Sequence, residues 1–165
     1  MAKKKINEES LYEPIKVWLE SKGYKAIISG KKGHILLPTG SLLGVKYLEP
    51  DVIGYKKEGY KDCLAIVEAK TDPALFFDGL GRCFVYKMVA NYVYLALPKE
   101  IAEKIGTDSL FEEKQGAGLG VGILAVDLEG NKVEVRVEAK ETFGLRIDLR
   151  DILVKMVKSK LGIKE

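Results

Sequence analysis

Histidine, glutamine and tryptophan each occur once in the 165 residues, and cysteine only twice. Cys63 and Cys83 are too few for a disulfide framework and are expected as small, buried apolar side chains. The lone His34 stands in a turn-rich stretch and is expected as a loop residue rather than a ligand. Neither sign of charge dominates: 27 basic side chains face 24 acidic ones, for a net of +3. That total does not by itself demand a nucleic acid partner. No apolar run approaches the ~18–20 residues of a membrane span, so no membrane is expected as a partner. Lys3, Lys4 and Lys5 lead into Asn7, Glu8 and Glu9 instead of an apolar stretch, so no secretory signal is expected. What remains, at 47% hydrophobic and 31% charged, is one cytoplasmic, soluble globular domain spanning residues 1–165.

The distribution of charge says slightly more than its sum. Residues 1–61 carry twelve basic and seven acidic groups, residues 62–140 nine and thirteen, and residues 141–165 six and four. Lysine supplies 23 of the cations, and Glu outnumbers Asp sixteen to eight. Abundant Lys and Glu with scarce amides is a thermophile's surface chemistry.

Leu11, Ile15, Trp18 and Leu19 recur at helical spacing. Pro14 confines the helix start to residues 10–13, and Gly23 stops it. Tyr24–Ser29 and Glu49–Tyr55 read as strands, with an edge strand at 34–37 and a hairpin turn over Lys56–Lys61. Cys63–Val67 is apolar without alternation, as in a strand covered on both faces. Asp72-Pro73 caps a helix running to about Ala90. Tyr92–Leu97 is a further strand, and a short helix runs from Pro98 to Ile105. A hairpin (Val121–Val126, Lys132–Glu138) turns about Glu129-Gly130-Asn131. The last helix spans Ile147 to about Leu161, with Ile147, Ile152, Leu153, Met156 and Val157 at core spacing. The order is α-β-β-β-α-β followed by an α-β-β-α extension. An α/β fold with a mixed central sheet flanked by helices is expected.

The chemistry concentrates between Pro50 and Lys70. Pro50-Asp51 opens one strand and Glu68-Ala69-Lys70 closes the next. Residues i and i+2 of a strand share a face, so Glu68 and Lys70 project together, and the hairpin can bring Asp51 beside them. Converging carboxylates repel unless a cation lies between them, and Mg²⁺ takes oxygen ligands of this kind. Glu-x-Lys occurs four times, at Glu20, Glu68, Glu112 and Glu138, so the motif alone carries little. Glu20 and Glu112 are on predicted helices, where i and i+2 do not face each other. Glu138 ends a strand alternating valine with charge and belongs to a solvated face. Only Glu68 follows a strand apolar on both faces, where charge is expensive.

Pro50, Asp51, Glu68 and Lys70 on this order of elements resemble the PD-(D/E)xK nuclease superfamily, over about residues 10–97. The resemblance implies a restriction-endonuclease-like core, with residues 98–165 as a C-terminal extension, and a Mg²⁺-dependent endonuclease hydrolysing DNA phosphodiesters. It implies that Asp51, Glu68 and the Ala69 carbonyl bind Mg²⁺ or Mn²⁺ and that Lys70 assists the attacking water. It also implies a glutamate on the first helix, for which Glu13 stands at the usual distance before Gly23, with Glu20 the alternative. The second helix is similar to the RecB-type branch: Gly81-Arg82 and Tyr86 occupy the places of its Gly-Gln pair and tyrosine. Arg82 replaces the usual Gln and suits bidentate contact with phosphate. Homodimers are common in that family and suit the cutting of two strands. The alternative is a catalytically inert nucleic-acid-binding or assembly module on the same fold.

Other signals have plainer readings. The glycines at 116, 118, 120 and 122 precede a strand rather than a helix, which rejects a dinucleotide loop. Lys31, Lys32 and Lys57, with Lys56 and Lys61, lie in loops that could flank the site and meet a nucleic acid backbone. Trp18 and Phe76 are expected in the core rather than as base-stacking platforms. Gly79 and Gly81 inside the second helix imply close packing or close approach of a backbone.

Overall fold

The computed structural model of the chain describes residues 6–30, 35–38, 47–105, 119–142 and 147–164. A 3-10 turn at Glu8–Leu11, capped by the Asn7 side chain, runs into helix α1 (Tyr12–Ser21), and Gly23 at φ 84° stops it. Strand β1 (Lys25–Ile28) is followed by a short pair, β2 (Leu37–Pro38) and β3 (Tyr47–Leu48), and then by β4 (Val52–Glu58) and β5 (Lys61–Ala69). Asp72 caps a 3-10 turn at Pro73–Leu75 that leads into α2 (Phe76–Tyr86). Strand β6 (Tyr92–Pro98) and α3 (Lys99–Ala102) come next, then β7 (Gly122–Asp127), β8 (Lys132–Val137) and α4 (Ile147–Lys160).

The protein is thus α/β. Among the described residues six strands form one mixed sheet in the order β1-β4-β5-β6-β7-β8, and β2 and β3 form a separate pair. The β1-β4, β4-β5 and β7-β8 neighbours are antiparallel, whereas β5, β6 and β7 run parallel. One face, with Val52, Ala65, Val67, Ala96 and Val126, packs on the Leu11, Ile15 and Leu19 stripe of α1. The opposite face, with Ile53, Ile66, Leu95 and Ile123, lies under α2 and α4. Strand β5 is central and fully covered from Cys63 onward, as its unbroken apolar run predicts. Burying each of Leu64, Ile66 and Val67 contributes about 1.5–3 kcal/mol.

Several details differ from the sequence reading. The β4–β5 hairpin turns tightly at Gly59 and Tyr60, because charged cross-strand partners such as Lys57 and Asp62 extend the ladder past the covered sheet. The second helix ends at Tyr86, four residues early, and Lys87–Val89 continue as turns. In α4 the core residues are Leu153, Val154 and Val157; Ile147 at 67% exposure and Ile152 at 47% point outward. The arc facing the sheet is therefore narrower than the apolar spacing suggests. Arg150 anchors this helix by donating to the carbonyls of Val89 and Asp62 and to Asn91 Oδ1. The extension thus adds two strands to the sheet and a helix that closes one face.

Candidate functional site

The end of β5 gathers the buried charge. Asp51 stands one residue before the Val52–Val67 pair, beside Glu68 at the exit of β5. Asp51, Glu68 and Lys70 are 6%, 1% and 5% exposed. The Ala69 N–H donates to Asp51 Oδ2 at 2.7 Å, and the Tyr12 hydroxyl donates to Asp51 Oδ1 at 2.7 Å. Lys70 Nζ donates to Glu68 Oε1 at 2.8 Å and to the Ala69 carbonyl at 3.0 Å. Glu8 Oε2 lies 3.7 Å from the same ammonium. From α2, the Tyr86 hydroxyl donates to Glu68 Oε2 at 3.1 Å, and Arg82 Nε lies 3.6 Å from Glu68 Oε1.

Two glycines make room for this cluster. A Cβ on Gly30 would stand 2.6 Å from Asp51 Oδ1 and 2.9 Å from the Tyr12 hydroxyl. A Cβ on Gly79 would stand 2.8 Å from Lys70 Cγ and 2.9 Å from Leu95 Cδ1. Gly79 therefore serves the close packing expected of it, whereas Gly81 faces open space.

Burial is the main force on these titrations. It pushes the Glu68 carboxyl up to about 7, with the nearby Asp51 charge adding to it and Lys70 and Arg82 opposing. Burial also raises Asp51, against the N–H of Ala69, the Tyr12 hydroxyl and Lys70. Burial disfavours the charge on Lys70, but Glu68, Glu8 and Asp51 outweigh it and raise the ammonium above its ordinary value. Three carboxylates, of Asp51, Glu68 and Glu8, face two cations, Lys70 and Arg82.

Among the described residues no three His, Cys, Asp or Glu side chains close into a ready cation cage, and the cation seated among these oxygens is the Lys70 ammonium. The donor set still fits a hard dication. It consists of the Asp51, Glu68 and Glu8 carboxylates and the Ala69 carbonyl, oxygen donors of the kind a hard dication takes.

The predicted residues divide cleanly. Asp51, Glu68, Ala69, Lys70, Arg82 and Tyr86 meet at one place. Glu13 does not: its carboxylate is 65% exposed and 3.8 Å from Lys16, which also faces Glu20 at 3.9 Å. Glu8 takes the expected position because it lies four residues before Tyr12, on the stripe that continues through Ile15 and Leu19 into the core. Glu13 is one residue off that stripe, turned about 100° away. Glu8 lies in the 3-10 turn ahead of α1, and the docking of that stripe, not residue counting, brings it to Lys70. Lys57 pairs with Asp62 on the β4–β5 hairpin, six residues and about 20 Å along β4 from Asp51. Lys31, Lys32 and His34 lie outside the described residues. Gly122 opens β7, in keeping with the rejection of a dinucleotide loop, and Gly116 and Gly118 lie outside the described residues.

The fold defines an α/β class. No family model and no curated protein matches the chain. The solved structure of a protein of unknown function from Silicibacter pomeroyi is similar to it, with a TM-score of 0.63 and 16% identity over 95% of this chain and 88% of the other. At that identity the likeness concerns the fold alone. No helix of the described residues is long and apolar enough to cross a membrane.

Proposed function

We propose that the chain is a metal-dependent nuclease of the PD-(D/E)xK type, acting on DNA phosphodiesters as an endonuclease in the cytoplasm, on a restriction-endonuclease-like core. The single observation that carries this reading is the convergence of Asp51, Glu68 and Lys70, all nearly inaccessible, at the covered end of β5. Without a cation-dependent task such a cluster costs stability, since each buried charge carries a desolvation penalty. Asp51, Glu68 and the Ala69 carbonyl, with Glu8 in the role expected of Glu13, would hold Mg²⁺ or Mn²⁺. That ion would supply phosphate polarisation and a bound water of lowered pKa.

The chain's own groups supply the rest. Tyr12 and the Ala69 N–H hold Asp51 in one rotamer through both carboxylate oxygens. Tyr86 and Arg82 fix Glu68 from α2. Lys70 lies within reach of a water beside Glu68, where it can orient the nucleophile and offset the negative charge that develops on the phosphate. Arg82 is half-exposed and has further donors for a phosphate oxygen. A homodimer would place two such sites against two strands. The Lys- and Glu-rich surface fits a thermophilic source.

Incubating the purified protein with Mn²⁺ or Mg²⁺ and single-stranded, duplex, flapped and branched DNA tests the reading. Cleavage of at least one substrate is expected, falling at least 100-fold in Asp51→Asn and Lys70→Ala. Cleavage that persists in both variants refutes this site. One observation favours the inert alternative: Lys70 and Arg82 already satisfy Glu68 without a metal. Calorimetric titration with Mn²⁺ separates the two, since the inert module would take up none.

A further inference from the structure

A second feature lies at the other end of α1. A cavity of about 230 Å³ opens among Trp18, Tyr24, Tyr92 and Tyr94, with Lys22 and Lys56 also in its wall. Trp18 is half-buried there and not enclosed in the core, and it meets Tyr94 edge to face at 5.2 Å. Lys56 Nζ stands 4.5 Å over the Tyr24 ring and Lys22 Nζ 6.0 Å over the Trp18 ring. The molecule's one tryptophan and three of its eight tyrosines thus line the cavity, Tyr24 and Tyr94 buried in its wall and Trp18 and Tyr92 half-exposed.

We infer that this cavity binds an unpaired nucleobase, with Lys22 meeting the phosphate attached to it, while Lys56 is held by Glu58. The space exceeds the ~150 Å³ cavity that holds a benzene ring, so its volume suffices for a planar heterocycle. Aromatic side chains beside cations are how proteins hold single strands: bases stack on rings, and lysines follow the backbone. A base still in a duplex presents only its edges and cannot enter between rings. Glu138, on another wall, offers an acceptor to an exocyclic amine of the base. The ten residues of α1 put this cavity about 15 Å from the Asp51 end, so one strand spanning both would contact the protein over several nucleotides. The inference rests on nucleic acid being the ligand class proposed above, and not on its cleavage.

Trp18, as the one tryptophan, reports on its own site. With EDTA present, a short single-stranded oligodeoxynucleotide is expected to quench Trp18 fluorescence saturably. An abasic strand of equal length is expected to leave it unchanged. Tyr92→Ala, which removes a stacking ring, should weaken binding about tenfold. Lys22→Ala, a change at an exposed helix end that leaves the core alone, should weaken it several-fold and make it less sensitive to salt. Equal quenching by the abasic strand, or affinity unchanged in both variants, overturns the inference. Metal-dependent cleavage is scored separately. Quenching without cleavage refutes only the nuclease reading, and cleavage without quenching refutes only the base site.

Discussion

Glu68-Ala69-Lys70 and Glu138-Ala139-Lys140 are the same tripeptide in two settings. The first leaves β5, a strand flanked by β4 and β6 and covered on both faces. The second follows β8, the edge of the sheet. Glu68 and Lys70 are almost inaccessible and bonded to each other, to Ala69, Tyr86 and Arg82, whereas Glu138 and Lys140 are exposed. Identical chemistry thus becomes an interdependent buried cluster in one place and solvated charge in the other. Position in the sheet makes the difference, through the cost of desolvation.

The comparison is most directly broken by removing each lysine. In EDTA near pH 8, Lys70→Met leaves Asp51 and Glu68 buried without their ammonium and should cost about 3–5 kcal/mol. Lys140→Met should change stability by less than about 0.5 kcal/mol. Urea unfolding reads both, and equal costs would dissolve the distinction.

A pH series sharpens it next. The Glu68 carboxyl titrates near 7 in the folded chain against an ordinary 4.5, because burial and Asp51 hold its proton. The folded state therefore binds more protons between those values. Its stability from this group is full below about 4.5 and is lost as pH rises through about 7, by roughly 3 kcal/mol. Asp51, raised for the same reason, adds in the same direction. Glu68→Gln should flatten this slope, whereas Glu138→Gln should leave it in place. A slope of opposite sign in the metal-free protein would contradict the geometry.

The smallest effect separates two glycines of one helix. Gly79→Ala forces a methyl against Lys70 and Leu95 and should cost about 1–3 kcal/mol. Gly81→Ala meets nothing within 4 Å and should stabilise by up to about 1 kcal/mol. Thermal midpoints moving in opposite directions would tie α2 to the β5 cluster.

Much of this is legible in the order of residues alone. The apolar run of β5 and the shared face of Glu68 and Lys70 follow from a period of two. The Asp72-Pro73 cap of the second helix follows from local signals. Glu8 is not legible in this way, because it sits in a 3-10 turn ahead of the helix, where residue counting favours Glu13. For Trp18, helical spacing suggests the core, but spacing places a side chain on a face and cannot tell whether that face is filled. Ile147 and Ile152 turn outward for the same reason.

By itself, then, the sequence determined the order of the helices and of the six main-sheet strands, the α/β class and the strand that delivers Glu68, since these depend on periodicity within a few residues; the short β2–β3 pair, expected as one edge strand at 34–37, it did not. Tertiary structure decided which acid joins Asp51, how Tyr12 reaches it across 39 positions, and where the aromatic rings leave a cavity. Those outcomes depend on how α1 docks against β4 and on how completely neighbouring side chains fill the space between them. No local pattern encodes either.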